Sequence, residues 1–154
     1  MGFYQFKREL KIVAEIDDVW KFISVPANLK KITPEYMGFD ITTDPVPDTI
    51  YEGLVISYKV KPLFGIGTTW VTEITHLKPN HYFVDEQRVG PYKMWHHEHF
   101  LREDKDGVVM TDIVSYKPPF GIIGSLANHL VIGKKLDEIF DYRRVALIKY
   151  FGQV

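Results

Sequence analysis

The sequence predicts an α+β domain in which a curved, seven-stranded antiparallel sheet wraps around a long C-terminal helix, with two short helices after the first strand. Three observations predict this fold. The first segment alternates between apolar and polar residues, six more strand-like segments follow without a helix between them, and residues 122–151 return to a helical period. Strands that follow one another without crossover helices pair antiparallel. A sheet packed around one helix is the simplest way to bury both elements.

Length and composition indicate one globular domain over residues 1–154, because 154 residues with 45% apolar side chains can build a single sizeable core. Nineteen Lys and Arg against twenty Asp and Glu give a net charge of −1, which argues against nucleic acid as a partner. The chain has no cysteine, so disulfides and thiolate ligands are excluded. No apolar run reaches the roughly 20 residues of a membrane span, which argues against stable membrane insertion.

The N-terminal segment carries Lys7, Arg8 and Glu9 where a signal peptide would be apolar. We therefore expect a cytoplasmic protein. We also expect it to be either a monomer or a weak homodimer.

The first part of the chain supports one strand and the two short helices. Residues 3–14 place apolar side chains on one parity and polar side chains on the other, which is typical of a strand with one wet face. Asp17 suits the N-terminus of a short amphipathic helix, and Pro26 is expected to end it. A second short helix is predicted over residues 27–32, before Pro34.

Turn-forming sequences rich in Pro, Gly, Asp and Asn divide the middle of the chain. They delimit six predicted strands: 36–43, 50–60, 67–76, 82–88, 93–102 and 108–116. The terminal helix is predicted over 122–151, with an apolar stripe made of Ile132, Leu136, Ile139, Phe140, Leu147, Tyr150 and Phe151. The apolar segment 118–126 before it is interpreted as the mouth or lid of a cavity, as a membrane-touching edge or as a packed loop.

Polar residues lie on the inward-facing parity of the predicted strand 93–102. The side that carries Trp95 and Leu101 also carries His97 and His99, and it is the better interior because it has no carboxylate. We therefore expect both histidines to face the inside of the sheet.

Two charged residues also fall on faces that are predicted to be buried. Asp112 shares its side of a strand with Tyr116, and Arg143 lies in the middle of the apolar stripe of the terminal helix. An unpaired buried charge would cost several kcal/mol, so each should pair with the other, a histidine, a ligand group or cavity water.

Together these residues predict a cavity rather than a plain core, since a domain that only needed a core would use Leu and Val at such positions. In strand 82–88 the parity of Phe83, Asp85 and Gln87 is favoured over the opposite one. The mixture of rings and hydrogen-bonding groups is typical of a wall that binds a small molecule. The predicted ligand-binding residues are Tyr58, Trp70, Gln87, Trp95, His97, His99, Asp112, Tyr116 and Arg143.

Several motifs carry a resemblance to a known superfamily. They are residues 18–34, Phe83-Val-Asp-Glu-Gln, Gly90-Pro-Tyr, Trp95-His-His-Glu-His, Asp112 with Tyr116, Pro119 with Gly121, and Ile139-Phe with Arg143. With these motifs nearly the whole chain resembles a bacterial, single-domain branch of the SRPBCC (START-like, helix-grip) superfamily. The resemblance implies a sheet that grips the C-terminal helix around an internal cavity. Members of the superfamily include lipid-transfer domains, hormone and allergen carriers, and polyketide aromatase/cyclases, so the resemblance implies ligand binding more than any one reaction.

Three functions follow from this interpretation. The first is a carrier, sensor or storage protein for a small apolar molecule or lipid with a polar end. The second is a polyketide aromatase/cyclase-like enzyme in which His97 or His99 moves a proton with the help of Asp112. The third is a structural or interaction domain with a vestigial cavity. No catalytic residue is assigned.

The two inward histidines raise the question of a metal. His97 and His99 with Asp112 could form a His/His/carboxylate site. Two histidines at this spacing are a weak signal, however, and the sequence alone establishes no third ligand. The sequence prediction is therefore that the protein holds neither a metal nor another cofactor.

Overall fold

The structure is a computed structural model that describes residues 2–61, 65–119 and 131–152. These residues form an α+β fold. Its strands and α-helices are β1 (Tyr4–Ile12), α1 (Ile16–Ile23), β2 (Asp40–Ile41), β3 (Val55–Val60), β4 (Thr68–Lys78), β5 (Tyr82–Val89), β6 (Met94–Asp104), β7 (Gly107–Lys117) and α2 (Gly133–Phe151). Two 3-10 helical segments, Pro26–Ile32 and Glu35–Met37, lie between α1 and β2.

The seven strands form one curved antiparallel sheet, as the sequence predicts. Its order is β1-β7-β6-β5-β4-β3-β2, so strands β2 to β7 form a meander and β1 joins its far edge by pairing with β7. Helix α2 packs against β1 and against the segment Pro26–Ile32. This arrangement confirms the predicted sheet around a terminal helix.

The core is divided into three apolar clusters. One lies between α1, the C-terminal half of α2 and the ends of β1, β6 and β7, where Val19 and Leu147 are fully buried. A second lies on strands β3 to β5 around Ile56 and Phe83. The third joins β7 to the first half of α2 through Val114 and Phe140. The division leaves room for a cavity between the helix and the sheet.

Two predicted strands are shorter than expected because the backbone turns. Segment 36–43 contributes only Asp40–Ile41, since Glu35–Met37 is a 3-10 turn and Gly38 has φ +53°. Segment 50–60 becomes a strand only from Val55, because Gly53, with φ +87°, places a turn at its start. Left-handed backbone of this kind suits glycine and interrupts a strand.

The two short helices predicted after the first strand are confirmed, and the structure adds detail to them and to the terminal helix. The second short helix is a 3-10 helix that Pro26 begins, as a proline in the first turn can do because its missing N–H has no partner there. Residues 122–130 of the predicted terminal helix, and residues 120–126 of the predicted mouth or lid, lie outside the described residues. Tyr150 belongs to the predicted apolar stripe but is 60% exposed, with one side of its ring against Phe22.

In the part of the chain that the structure describes, no helix combines the length and the apolar character that crossing a bilayer requires.

The buried stripe of α2 gives a direct test of its packing against the sheet. Leu147 is fully buried, so Leu147→Ala should lower the free energy of unfolding by about 2–5 kcal/mol through lost apolar contact and the cavity left behind. Val145 on the same helix is 59% exposed, and Val145→Ala should change it by no more than about 0.5 kcal/mol. Urea unfolding measures both, and equal effects would contradict the packing of α2.

Candidate functional site

A cavity of about 200 Å³ lies between the concave face of the sheet and α2. Strands β3, β4, β5 and β6, helix α2 and the segment Pro26–Ile32 all contribute side chains to it. Most of the described lining residues are apolar. Asp85, His97, His99 and Arg143 form a polar cluster on one part of the wall.

The pairing of the strands brings this cluster together. Asp85 on β5 lies directly opposite His97 on β6, and His99 on β6 lies directly opposite Asp112 on β7. His97 and His99 are two residues apart on one strand, so both side chains project to the same face. Three neighbouring strands therefore place a pair of imidazoles between two carboxylates, one on each side.

Each histidine bridges the two carboxylates. His97 Nε2 lies 3.0 Å from Asp112 Oδ1, and His97 Nδ1 lies 3.5 Å from Asp85 Oδ2. His99 uses its nitrogens the other way round, with Nδ1 2.9 Å from Asp112 Oδ1 and Nε2 2.8 Å from Asp85 Oδ2. The two rings face each other at a tilt of 39°, with centroids 3.7 Å apart. Asp112 is only 2% exposed, so the interior holds a compact charged network.

Arg143 supplies the permanent positive charge of this network. Its Nη1 lies 3.6 Å from Asp112 Oδ1, and its guanidinium packs over the ring of Phe140. Arg143 is 9% exposed, and its buried Nε has no hydrogen-bond partner among the described residues. A buried N–H donor without a partner costs free energy, so this atom is suited to a ligand or a cavity water.

The network shifts the pKa values of its members in different directions. Burial alone would raise the pKa of Asp112, but hydrogen bonds from His97 and His99 lower it far below its ordinary value. Burial would also raise the pKa of Asp85, but the hydrogen bond from His99 and the charges of His97, His99 and Arg143 together lower it. Burial, together with the nearby charge of His99, lowers the pKa of His97. Hydrogen bonds to Asp112 and Asp85 outweigh burial at His99 and raise its pKa.

Aromatic rings build the apolar wall next to this network. Trp70 and Trp95 meet edge to face with centroids 5.2 Å apart, and Tyr92 packs against both. Phe83 stacks on His99 at 4.0 Å and fixes the plane of that imidazole. Burial, with a contribution from the charge of Asp85, raises the pKa of Tyr58, so its hydroxyl stays protonated beside the cavity.

The side chain of Gln87 makes two hydrogen bonds to the backbone of Tyr92 in the loop between β5 and β6, and thereby positions Tyr92. Its Nε2 donates to the backbone carbonyl of Tyr92 at 2.7 Å, and its Oε1 accepts from the Tyr92 N–H at 3.2 Å. Gly90 lies so close to the Gln87 side chain that a Cβ at position 90 would collide with it. Gln87 therefore supports the aromatic wall from behind.

The structure places most of the sequence-predicted site residues on the cavity wall. Six of the nine line it: Tyr58, Trp70, Trp95, His97, His99 and Arg143. The other three support the wall. Gln87 holds the loop, Asp112 lies behind the histidines, and Tyr116 packs behind Tyr92 and Trp95.

Asp85 and Tyr92 are two of the lining residues that the sequence-predicted set did not include. Asp85 was on the favoured parity of its strand, but its pairing partner could not be read from one strand alone. Tyr92 lies in a loop, where no alternation identifies an inward side chain. The signal that could have indicated Tyr92 is the turn sequence Gly90-Pro-Tyr close after Gln87.

One group of side chains has the composition of a metal site. Asp85, His97 and His99 each offer a ligand atom to the cavity side, and these atoms lie within 4.8 Å of one another.

Comparisons with known proteins identify the fold. No family model matches the sequence, and no curated protein matches it. Among solved structures, the chain is similar to protein CV1439 from Chromobacterium violaceum, with TM-score 0.72 and 12% identity over 97% of this chain and 99% of that one. It is also similar to a protein from Arthrobacter aurescens, with TM-score 0.72 and 13% identity over 94% of this chain and 86% of that one.

A third similar structure is Ara h 8.0201, a Bet v1-like protein, with TM-score 0.60 and 12% identity over 96% of this chain and 99% of that one. The chain has the helix-grip fold. At such low identities the likeness concerns the fold alone, and one fold carries many functions. The function must therefore be argued from the cavity.

Proposed function

We propose that this protein binds a small, largely apolar molecule with one polar end inside its cavity, as a carrier, sensor or storage protein. The observation that carries the proposal is the cavity of about 200 Å³, whose apolar wall is interrupted by one charged network. That volume is more than ten times what a single water molecule needs, at roughly 10–15 Å³ each. Concave apolar sites with a few convergent polar groups are typical of small-molecule binding.

The two parts of the wall suggest how such a ligand would lie. Its apolar body would pack against the rings of Tyr58, Trp70 and Trp95, where burial of apolar surface supplies the free energy. Its polar end would point to the network, where Arg143 Nε is a buried donor without a partner among the described residues. An anionic or carbonyl group fits that donor best.

Native mass spectrometry of the purified protein tests the proposal most directly, because it reports any small molecule that co-purifies. A fluorescent probe gives a second test. Anilinonaphthalene sulfonate has an apolar ring system and one anionic end, so we expect it to bind with one site per chain and to quench Trp fluorescence. A protein that retains its fold but holds no molecule and binds no probe would instead be a domain with a vestigial cavity.

Filling the cavity should weaken probe binding. Ile139 on α2 lines the cavity, so the larger side chain in Ile139→Trp should occupy it and weaken the probe at least about 10-fold, for a cost of about 1.4 kcal/mol or more in binding. Probe emission measures the affinity. Tyr142→Trp is the matched control because Tyr142 is exposed on the same helix. Equal affinities of the two variants would place the probe outside the cavity.

We propose an aromatase/cyclase-like reaction as the second candidate. His97 favours it, because its Nε2 is held by the buried Asp112 while its ring lines the cavity. A histidine oriented by a carboxylate is the usual arrangement of a general base. In such a reaction His97 would take a proton from a carbon between two carbonyl groups of a polyketide-like substrate. The resulting enolate would form a carbon–carbon bond to a carbonyl carbon further along the chain, and the alkoxide so formed would take the proton back from His97.

A short poly-β-ketone thioester tests this second candidate. Conversion by the native protein, and loss of conversion with retained binding in His97→Gln, would support an enzyme. Binding and release of the unchanged thioester would support a carrier. His96→Gln is the control, because His96 pairs with Glu86 and its ring does not line the cavity.

A further inference from the structure

We propose that Asp85, His97 and His99 form a binding site for a divalent transition-metal ion on the cavity wall, and that Asp112 orients both histidines from behind. The inference goes beyond ligand binding and does not depend on which molecule enters the cavity.

Two imidazole nitrogens face one carboxylate oxygen in this group. His97 Nδ1 and His99 Nε2 both face Asp85 Oδ2, at 3.5 and 2.8 Å. Two ligand atoms that each lie about 2.1 Å from a zinc ion are about 3.0–3.4 Å apart, depending on the angle at the metal. These two nitrogen–oxygen distances bracket the expected values, and the ligand atoms of all three residues lie within 4.8 Å of one another, so side-chain movements would bring them to bonding distance of one ion.

Asp112 provides the support that metal-binding histidines commonly have. Its Oδ1 contacts the opposite nitrogen of each ring, His97 Nε2 at 3.0 Å and His99 Nδ1 at 2.9 Å. A carboxylate accepts hydrogen bonds, so with an ion bound each imidazole would keep one proton, on the nitrogen next to Asp112. The proton that His99 shares with Asp85 would be released on binding, and His97 Nδ1 and His99 Nε2 would then turn their lone pairs to the ion. A carboxylate behind a metal-binding histidine acts in this way by fixing its tautomer and orientation.

With both imidazoles neutral, the charge of the buried network also favours a cation. Asp85 and Asp112 contribute two negative charges, and Arg143 contributes the one permanent positive charge among these side chains. A divalent ion would leave a surplus of one positive charge, which an anionic oxygen of a cavity ligand could neutralise. Such an oxygen can reach the ion because all three protein ligands line the cavity.

The donor set defines the class of ion. Two imidazoles and one carboxylate suit Zn²⁺, Fe²⁺ or Co²⁺, whereas Mg²⁺ and Ca²⁺ prefer oxygen ligands throughout. The sequence argued against a metal because it established no third ligand, and it assigned the carboxylate role to Asp112. In the structure Asp85 is in the position of the third ligand. Asp112 lies behind the two histidines, where it would orient them and not bind the ion.

Titration of chelator-treated protein with Co²⁺ tests the site, because bound Co²⁺ has visible d–d absorption that reports coordination number. We expect one Co²⁺ per chain in a four- or five-coordinate spectrum, and displacement by Zn²⁺. Zn²⁺ should also raise the midpoint of thermal unfolding of the native protein, which needs no variant. A protein that takes up no Co²⁺, or whose thermal midpoint does not respond to Zn²⁺, would overturn the proposal.

Variants locate the ion. Asp85→Asn and His99→Gln keep side-chain size and should lose stoichiometric Co²⁺ binding. His96→Gln is the matched control on the same strand, because His96 pairs with Glu86 on the other face, and it should bind Co²⁺ as the native protein does. Binding that survives in both cavity variants, or that is lost in His96→Gln, would place the ion elsewhere and contradict the site.

Asp112 is a positioning residue in this proposal. Asp112→Asn should lower the affinity for Co²⁺ by about 10–100-fold, which is the usual effect of losing a hydrogen-bond partner behind a metal-binding histidine. It should also alter the d–d spectrum of the bound ion. An unchanged spectrum and affinity in a folded Asp112→Asn protein would show that Asp112 acts only on stability and would overturn its assigned role. Because the titration uses Co²⁺ alone, its failure is distinct from a failure of the organic probe to bind.

Discussion

Asp112→Ala should lower the free energy of unfolding by about 3–5 kcal/mol, because it breaks a buried charge network by removing one partner. The carboxylate is 2% exposed and faces three cationic or hydrogen-bonding side chains, His97, His99 and Arg143. Without it, the guanidinium loses its one carboxylate partner among the described residues. Urea unfolding of the purified variant measures the loss.

Asp104→Ala is the matched control for this prediction. Asp104 lies at the end of β6 with Lys11 at 3.1 Å, but both side chains are 35% exposed. Such a pair is worth about 0–1 kcal/mol, so the control should remain close to the native stability. The double variant Asp112→Ala/Arg143→Leu should lose less than the sum of its single variants. Equal losses for Asp112→Ala and Asp104→Ala would show that the buried network contributes no special stability.

The sequence predicted the fold well because its signals are local and repeated. Alternation over residues 3–14 and helical spacing over the terminal segment each identify a buried face without any knowledge of tertiary contacts. The errors fall where the backbone leaves those periods. Gly38 and Gly53 adopt left-handed backbone, and each converts part of a predicted strand into a turn.

The candidate site was predictable only in part, for a reason that lies in the sheet register. Parity alone put His97 and His99 on the inner face, and the structure confirms this placement. Which residue lies opposite each of them depends on hairpin lengths and bulges, and a shift of one residue would reverse the faces. The pairing of Asp85 with His97 and of Asp112 with His99 therefore came only from the structure.

The second large effect is on ligand affinity rather than stability. Arg143→Leu should weaken the binding free energy of anilinonaphthalene sulfonate by about 1.5–3 kcal/mol, which is what a hydrogen bond to a charged group contributes. The reason is that Arg143 lines the cavity and its Nε has no partner among the described residues. Stability should fall less than in Asp112→Ala, because Asp112 keeps hydrogen bonds from His97 and His99. Fluorescence titration of the probe measures the affinity.

A matched pair of probes and a matched variant separate charge from shape. Phenylnaphthylamine has the same rings without the sulfonate, so Arg143→Leu should leave its affinity within about twofold, a difference of about 0.4 kcal/mol. Arg144 is the next residue on α2 and is exposed, so Arg144→Leu should affect neither probe. If Arg143→Leu weakens both probes equally, the guanidinium shapes the cavity and does not hold a polar end. If Arg144→Leu lowers the affinity for the sulfonated probe as strongly as Arg143→Leu does, the probe binds at the surface of α2.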